Sequence, residues 1–249
     1  MDLRISTMTG ISKLSTEINL SELYNKLISS ANDIKFIEFG EKYKGEIDKK
    51  NLKKREKKTK KYFYNQITIH IFIDYKDQSK FINMKIFNNG SLQMTGIKSK
   101  EMGQIAIDKI KEKIIKINEN DIYKKSNLEI INYYISMINS DFNVNYKINR
   151  DKLNRIILDM GMYSSYEPCI YPGVNIKYYY KNGKQNGICN CEGNCDGSGK
   201  KDFCKKITIL AFNSGAVMIT GGKNIQHYEK IYTFILDLLI KNKNVLEHK

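Results

Sequence analysis

The feature that most constrains this chain is an internal repeat. Phe87 to Lys98 reads FNNGSLQMTGIK, and Phe212 to Lys223 reads FNSGAVMITGGK. Six of the twelve positions are identical, and one spacing of 125 residues relates them all. Self-similarity at a fixed offset means that one structural unit is built twice, so the fold must hold two near-equivalent halves.

The flanks repeat too. Phe81 to Phe87 alternates Ile82, Met84 and Ile86 against Asn83, Lys85 and Phe87; Lys206 to Phe212 alternates Ile207, Ile209 and Ala211 against Thr208, Leu210 and Phe212. Period-two alternation predicts strands. The Asn-Asn-Gly and Asn-Ser-Gly triplets predict tight hairpins, with second strands through Leu92 and Met94, and through Val217 and Ile219. Helices are predicted next, one through Met102, Ile105, Ala106, Ile110, Ile114 and Ile117 capped by Ser99, the other from Asn224 through Tyr228, Tyr232, Ile235 and Leu239. Each half opens with a strand (3–9 and 133–139) and a short helix (19–31 and 150–160). The expected organisation is a first repeat over 1–120, a linker over 121–130 and a second repeat over 131–249. Strands and helices segregated in this way indicate an α+β fold with helices on one sheet face, leaving the other for solvent or a ligand.

Forty-two Lys and Arg against 27 Asp and Glu leave a net charge of +15. That excess favours polyanionic partners. No stretch reaches the roughly 20 apolar residues of a spanning helix, and the start lacks a signal-peptide layout, so a soluble intracellular chain with no membrane partner is expected. His70, His227 and His248 lie far apart in sequence without a nucleophile or paired acids, so no enzyme is expected.

The second half carries SSYEPCIYPG over 164–173, then Phe212-Asn213-Ser214-Gly215 and Thr220-Gly221-Gly222-Lys223. These resemble the second repeat of the TATA-box-binding protein family, with its S-S-Y-E-P-x-x-F-P-G and I-F-x-S-G-x-x-x-x-T-G-A-K stretches. The first half is similar through Ile5-Ser6-Thr7, Tyr64-Asn65, Ile86 to Gly90 and Thr95 to Ser99. The resemblance implies a pseudo-twofold saddle of two repeats, a curved antiparallel sheet with helices on its convex face. Its concave face would lie on the minor groove of double-stranded, AT-rich promoter DNA, in a family known for wedging side chains between base steps and kinking the duplex. The wedge positions match Phe87, Phe212, Tyr171 with Pro172 beside it, and Ile69. Thr95 and Thr220, and Ile5 and Ile135, match groove-facing positions. Lys98 and Lys223 match phosphate contacts, whose physics is counterion release.

The sequence also departs from the family. Its paired groove-reading asparagines fall at Leu3 and Tyr133, with Asn132 one residue away. Gln93 and Met218 replace apolar β-branched residues in mid-sheet, and Lys85 stands where the second half has Leu210. These changes put TATA preference in doubt, because minor-groove readout mostly separates AT from GC and leans on deformability. Glu167 matches a position used toward a transcription factor IIB-like partner, although Cys169 replaces the neighbouring acid. The resemblance thus implies a general transcription-initiation factor that recruits such a partner and the RNA polymerase machinery, in the nucleus or in a cytoplasmic viral factory. The alternative is a protein-interaction scaffold or a non-specific DNA binder on the same fold.

Two insertions interrupt the repeats. Residues 41–61 hold eleven Lys and Arg and four acids, and are expected to be an exposed basic arm or nuclear address. Residues 181–204 carry Cys189, Cys191, Cys195 and Cys204. Four thiols in sixteen residues suffice for a tetrahedral zinc site, although C-x-C-x3-C-x8-C is not the common paired spacing. Disulfides, or free thiols in a Gly-rich loop, are the other readings. No cofactor is expected to be required, a structural zinc being one of these three readings.

Overall fold

The computed structural model describes residues 2–46, 62–77, 79–117, 122–124, 127–181, 186–200 and 203–248. The chain divides into two compact units, Met8–Ser136 and the combination of Met1–Thr7 with Met137–Lys249. The units and the sequence repeats part the chain at different places, because β1 (Arg4–Leu14) and β7 (Ile130–Asn143) each contribute residues to both. No described helix is long and apolar enough to cross a membrane.

In the Met8–Ser136 unit the strands are β1, β2 (Ile34–Phe39), β3 (Lys42–Gly45), β4 (Gln66–Ile73), β5 (Lys80–Phe87), β6 (Ser91–Ile97) and β7. They pair in the order β3-β2-β4-β5-β6-β1-β7. The pairs β1–β6, β2–β3, β2–β4, β4–β5 and β5–β6 are all antiparallel. Ile67, Ile69, Ile71, Ile82, Met84, Ile86, Leu92 and Met94 are fully buried. Between them Gln66, Thr68, His70, Asn83, Lys85, Phe87 and Gln93 remain partly exposed. The buried side is covered by α1 (Leu20–Lys26) and by α2 (Lys100–Lys116), which packs on β4 and β6. Ser99 caps α2, accepting from the Met102 N–H at 3.1 Å.

The other unit repeats this plan with β8 (Tyr163–Ser165), β9 (Val174–Tyr180), β10 (Lys205–Ala211) and β11 (Ala216–Gly222), ordered β1-β7-β11-β10-β9-β8. α3 (Arg150–Asp159), α4 (Ile225–Lys241) and the short α5 (Lys243–Leu246) complete it. Val174, Ile176, Ile207, Ile209, Ala211, Val217 and Ile219 are buried, and α4 sets Phe234 edge-on to Tyr178 at 5.2 Å. Asn175, Lys177, Tyr179, Thr208, Leu210, Phe212, Met218 and Thr220 alternate with them, half-buried. In each unit one sheet face carries helices and, among the described residues, the other is left uncovered, as expected of an α+β chain of this pattern.

The 125-residue offset holds at atomic detail. β6 and β11, and α2 and α4, begin and end at positions related by it. The hairpin glycines do the same work: Gly90 (φ +79°) and Gly215 (φ +85°) donate no side chain into a space where a Cβ would lie 2.3 Å from the Thr16 carbonyl oxygen or 2.4 Å from that of Tyr146. Their carbonyls accept from Leu14 N–H at 2.8 Å and Val144 N–H at 3.0 Å.

Three expectations need correction. α1 stops at Lys26, short of residue 31, because the Lys44 ammonium takes the carbonyls of Tyr24, Asn25 and Leu27 at 2.6, 3.0 and 3.1 Å; Ile28 is left 81% exposed. The first residues of the expected basic arm are therefore not an arm: Lys42–Gly45 form β3, paired with β2. Residues 47–61 lie outside the described residues. Ile69 is fully buried and cannot wedge into DNA.

Candidate nucleic-acid interface

The uncovered face of the Met1–Thr7/Met137–Lys249 unit ends in aromatic rings. Phe212, immediately after β10, meets Tyr171 with centroids 6.0 Å apart at 59°. A turn places Tyr171: the N–H groups of Ile170 and Tyr171 both bond the Glu167 carbonyl at 2.9 Å. Pro172 follows, its carbonyl accepting from the Arg150 guanidinium at 2.6 Å. Gly173 is needed beneath the pair, since a Cβ there would come within 3.0 Å of both rings. Ile170, 83% exposed, extends the apolar tip, and Glu167 and Cys169 are exposed in the same turn.

Along that face Leu210 stands across from Met218, and Thr208 across from Thr220. Lys177 donates to Thr208 Oγ1 at 2.9 Å; burial, then Lys206, pushes its ammonium below the ordinary lysine range. Thr220 Oγ1 donates to Asn139 Oδ1. Asp141 stands across from Met218, and the exposed Arg4 guanidinium neutralises it at 2.6 Å.

The Met8–Ser136 unit arranges the corresponding positions differently. Phe87 is half-buried and its cross-strand partner is Gln66. Lys85 pairs with Thr68 on one side and Gln93 on the other. A shallow hollow beside them is lined by Glu38, Tyr62, Phe63, Gln66, Thr68 and Lys85, with Phe63 60% exposed. Asn83 reaches His70 Nε2 at 3.0 Å and stands across from the exposed Thr95. Burial, then Lys35, holds His70 below its usual range, so it is neutral near pH 7.

Lysines gather at matching places. Burial and then Lys98 lower the pKa of Lys80. Burial, then Lys223, then Lys206 lower that of Lys205. Lys80 and Lys98 are related to Lys205 and Lys223 by the same 125 residues. Lys98 and Lys223 are among the phosphate positions expected from the sequence; Lys80 and Lys205 are not, although the repeat offset alone relates them.

A family described as "Transcription factor TFIID (or TATA-binding protein, TBP)" matches residues 132–242. The "TATA-box-binding protein-like" protein of Acanthamoeba polyphaga mimivirus is 31% identical over 253 residues. That match takes in 96% of this chain. These matches support a divergent member of the TATA-box-binding protein family. The chain spans 65% of the mimivirus relative's length. Methanococcus jannaschii TBP has the same fold, at a TM-score of 0.56 and 20% identity, over 97% of this chain and 99% of that one.

Among the expected TBP-family positions, Phe87, Gln93, Leu210, Phe212, Met218 and Thr220 fall on uncovered rows, and Thr95 and Tyr171 are exposed. Ile5 and Ile135 are half-buried. Tyr133, at a family asparagine position, turns to the helix side: its hydroxyl donates to the Lys100 carbonyl at 3.0 Å and packs where a Cβ at Gly103 would meet it at 1.9 Å. Burial, then Glu101, pushes its pKa up to about 12. Asn132 is exposed beside it. The four cysteines of the second insertion converge at one place, their Sγ atoms all within 4.8 Å of one another.

Proposed function

We propose that this chain binds double-stranded DNA through the uncovered sheet faces of its two units, enters the minor groove and bends it, as part of transcription initiation. The observation that carries this reading is the repetition of Phe87 and Phe212, Thr95 and Thr220, and Lys98 and Lys223 at one offset, on or immediately after the corresponding strands of each unit. An uncovered apolar row ending in an aromatic suits unstacked base steps, and flanking lysines suit phosphates. The net charge of +15 supports the same partner. Tyr171, Pro172 and Phe212 form the stronger wedge, and Phe87 with Phe63 the weaker.

Gln66, Lys85 and Gln93 make the first face more polar than its counterpart, which carries Leu210 and Met218. That favours a second reading at the level of sequence choice, in which the chain bends DNA without a TATA preference. Gln93 can donate a hydrogen bond in the groove where an aliphatic residue cannot. The exposed Glu167 turn is the surface proposed for a transcription factor IIB-like partner and the polymerase machinery, in a nucleus or a viral factory. Selection of bound duplexes from a random pool at fixed salt tests this: enriched AT-rich sites support promoter readout, an unselected bound pool supports the second reading, and no recovery at low salt contradicts both.

A further inference from the structure

The Cys-rich insertion has a chemistry of its own. Cys189, Cys191 and Cys195 are half-buried and Cys204 is buried, and one Sγ from each lies within 4.8 Å of all the others. A tetrahedral zinc site with Zn–S bonds of about 2.3 Å sets its sulfurs about 3.8 Å apart. Cys191 and Cys204 already stand at 3.4 Å.

The backbone is arranged for sulfur. Gly193, Gly197 and Gly199 all have φ near +70° to +75°, which lets the chain turn sharply between the thiols. Residues 186–200 bury no large apolar side chain of their own, only the glycines Gly187 and Gly197. Yet the segment is tied to the sheet: Tyr179 N–H bonds the Gly187 carbonyl at 2.9 Å, Lys206 N–H bonds that of Gly197 at 2.9 Å, and Ser198 pairs with Lys205.

We infer that Cys189, Cys191, Cys195 and Cys204 hold one zinc ion, which serves as the core of this insertion and fixes it to β9 and β10. The ion displaces four thiol protons and forms four Zn–S bonds, leaving a site of charge 2− with no change in oxidation state. Lys205 and Lys206, adjoining Cys204, supply positive charge beside it. Since a free thiol titrates near about 8.5, close to four protons leave per ion bound at neutral pH. The inference does not depend on what the sheet faces bind.

Metal analysis of the purified full chain, never exposed to chelator, tests it. The expected result is about one zinc per chain. Replacement by cobalt(II) should give the intense visible bands of tetrahedral cobalt with thiolate charge transfer. C195S should lose the metal, and C169S, at an exposed cysteine outside the cluster, should keep it. If C195S fails to fold, the stoichiometry and cobalt spectrum of the parent chain still decide. Less than about a tenth of an equivalent of zinc in the parent, an octahedral cobalt spectrum, disulfides among the four cysteines, or equal loss of metal in C169S would each overturn it.

Discussion

Gln66 stands directly across from Phe87 on β4 and β5, whereas in the other unit Phe212 is backed by Tyr171 at 6.0 Å. The two proposed wedges of this duplicated chain are therefore unequal. Phe212→Ala should reduce DNA bending more than Phe87→Ala does. Bend angle from end-labelled duplexes checks this, with thermal unfolding as the control for stability; equal losses would remove the asymmetry.

Phe63 is 60% exposed and lines the hollow beside Gln66. With Tyr62, which lines the same hollow, it is an aromatic available to strengthen the weaker of the two proposed wedges. Phe63→Ala should lower affinity for DNA several-fold without shifting the melting temperature, because an exposed ring contributes little to the core. Gln66→Phe should raise the bend angle.

Burial and then the like charge of Lys98 lower the pKa of Lys80, and burial and then that of Lys223 lower the pKa of Lys205. A polyanion relieves that repulsion. Lys98→Ala and Lys223→Ala should each flatten the log–log salt dependence of DNA affinity by about 0.9. Titrations across several salt concentrations measure the slope, and an unchanged slope would place these lysines off the phosphates.

Tyr228 donates to the Ile138 carbonyl and accepts from the Gly222 N–H at 2.8 Å. Burial pushes its pKa up to about 12, against an ordinary 10.0. A pKa raised on folding means that the neutral phenol is favoured in the native state. Its contribution is complete below pH 10 and declines as pH rises from about 10 toward about 12. Tyr228→Phe should cost about 1–3 kcal/mol at pH 7 and should weaken the alkaline loss of stability. Denaturant unfolding at pH 7 and above pH 10 separates the two effects.

Gly103 and Tyr133 form a further pair. A Cβ at Gly103 would sit 1.9 Å from the Tyr133 hydroxyl. Gly103→Ala should destabilise the chain by about 1–3 kcal/mol, and Tyr133→Leu in the same chain should recover much of the loss. A double-mutant cycle gives the coupling; additive effects would contradict the contact.

Much of this was legible before the structure. The offset of 125 residues located β5, β6 and α2 and their counterparts because each repeat buries the same alternate residues, and Ser99 and Asn224 mark their helix starts by side-chain caps. The failures have physical causes. β4 reads Gln-Ile-Thr-Ile-His-Ile-Phe-Ile, so its isoleucines give a clear period but no sign of which row a ligand meets. A slip of one residue exchanges the faces, so the sequence alone does not separate the buried Ile69 row from the Gln66 row. The Lys44 cap on α1 arrives from a distant strand, and nothing local announces it. Likewise the four cysteines have an uncommon spacing, and only the glycine turns bring them together.

The most direct test of the central claim is the end-to-end distance of a doubly labelled AT-rich duplex, followed by energy transfer as the intact chain is added. A shortening that saturates with protein, and is reduced when Phe87 and Phe212 are both replaced by alanine, is the predicted result. Binding that saturates with no change in the distance would contradict it.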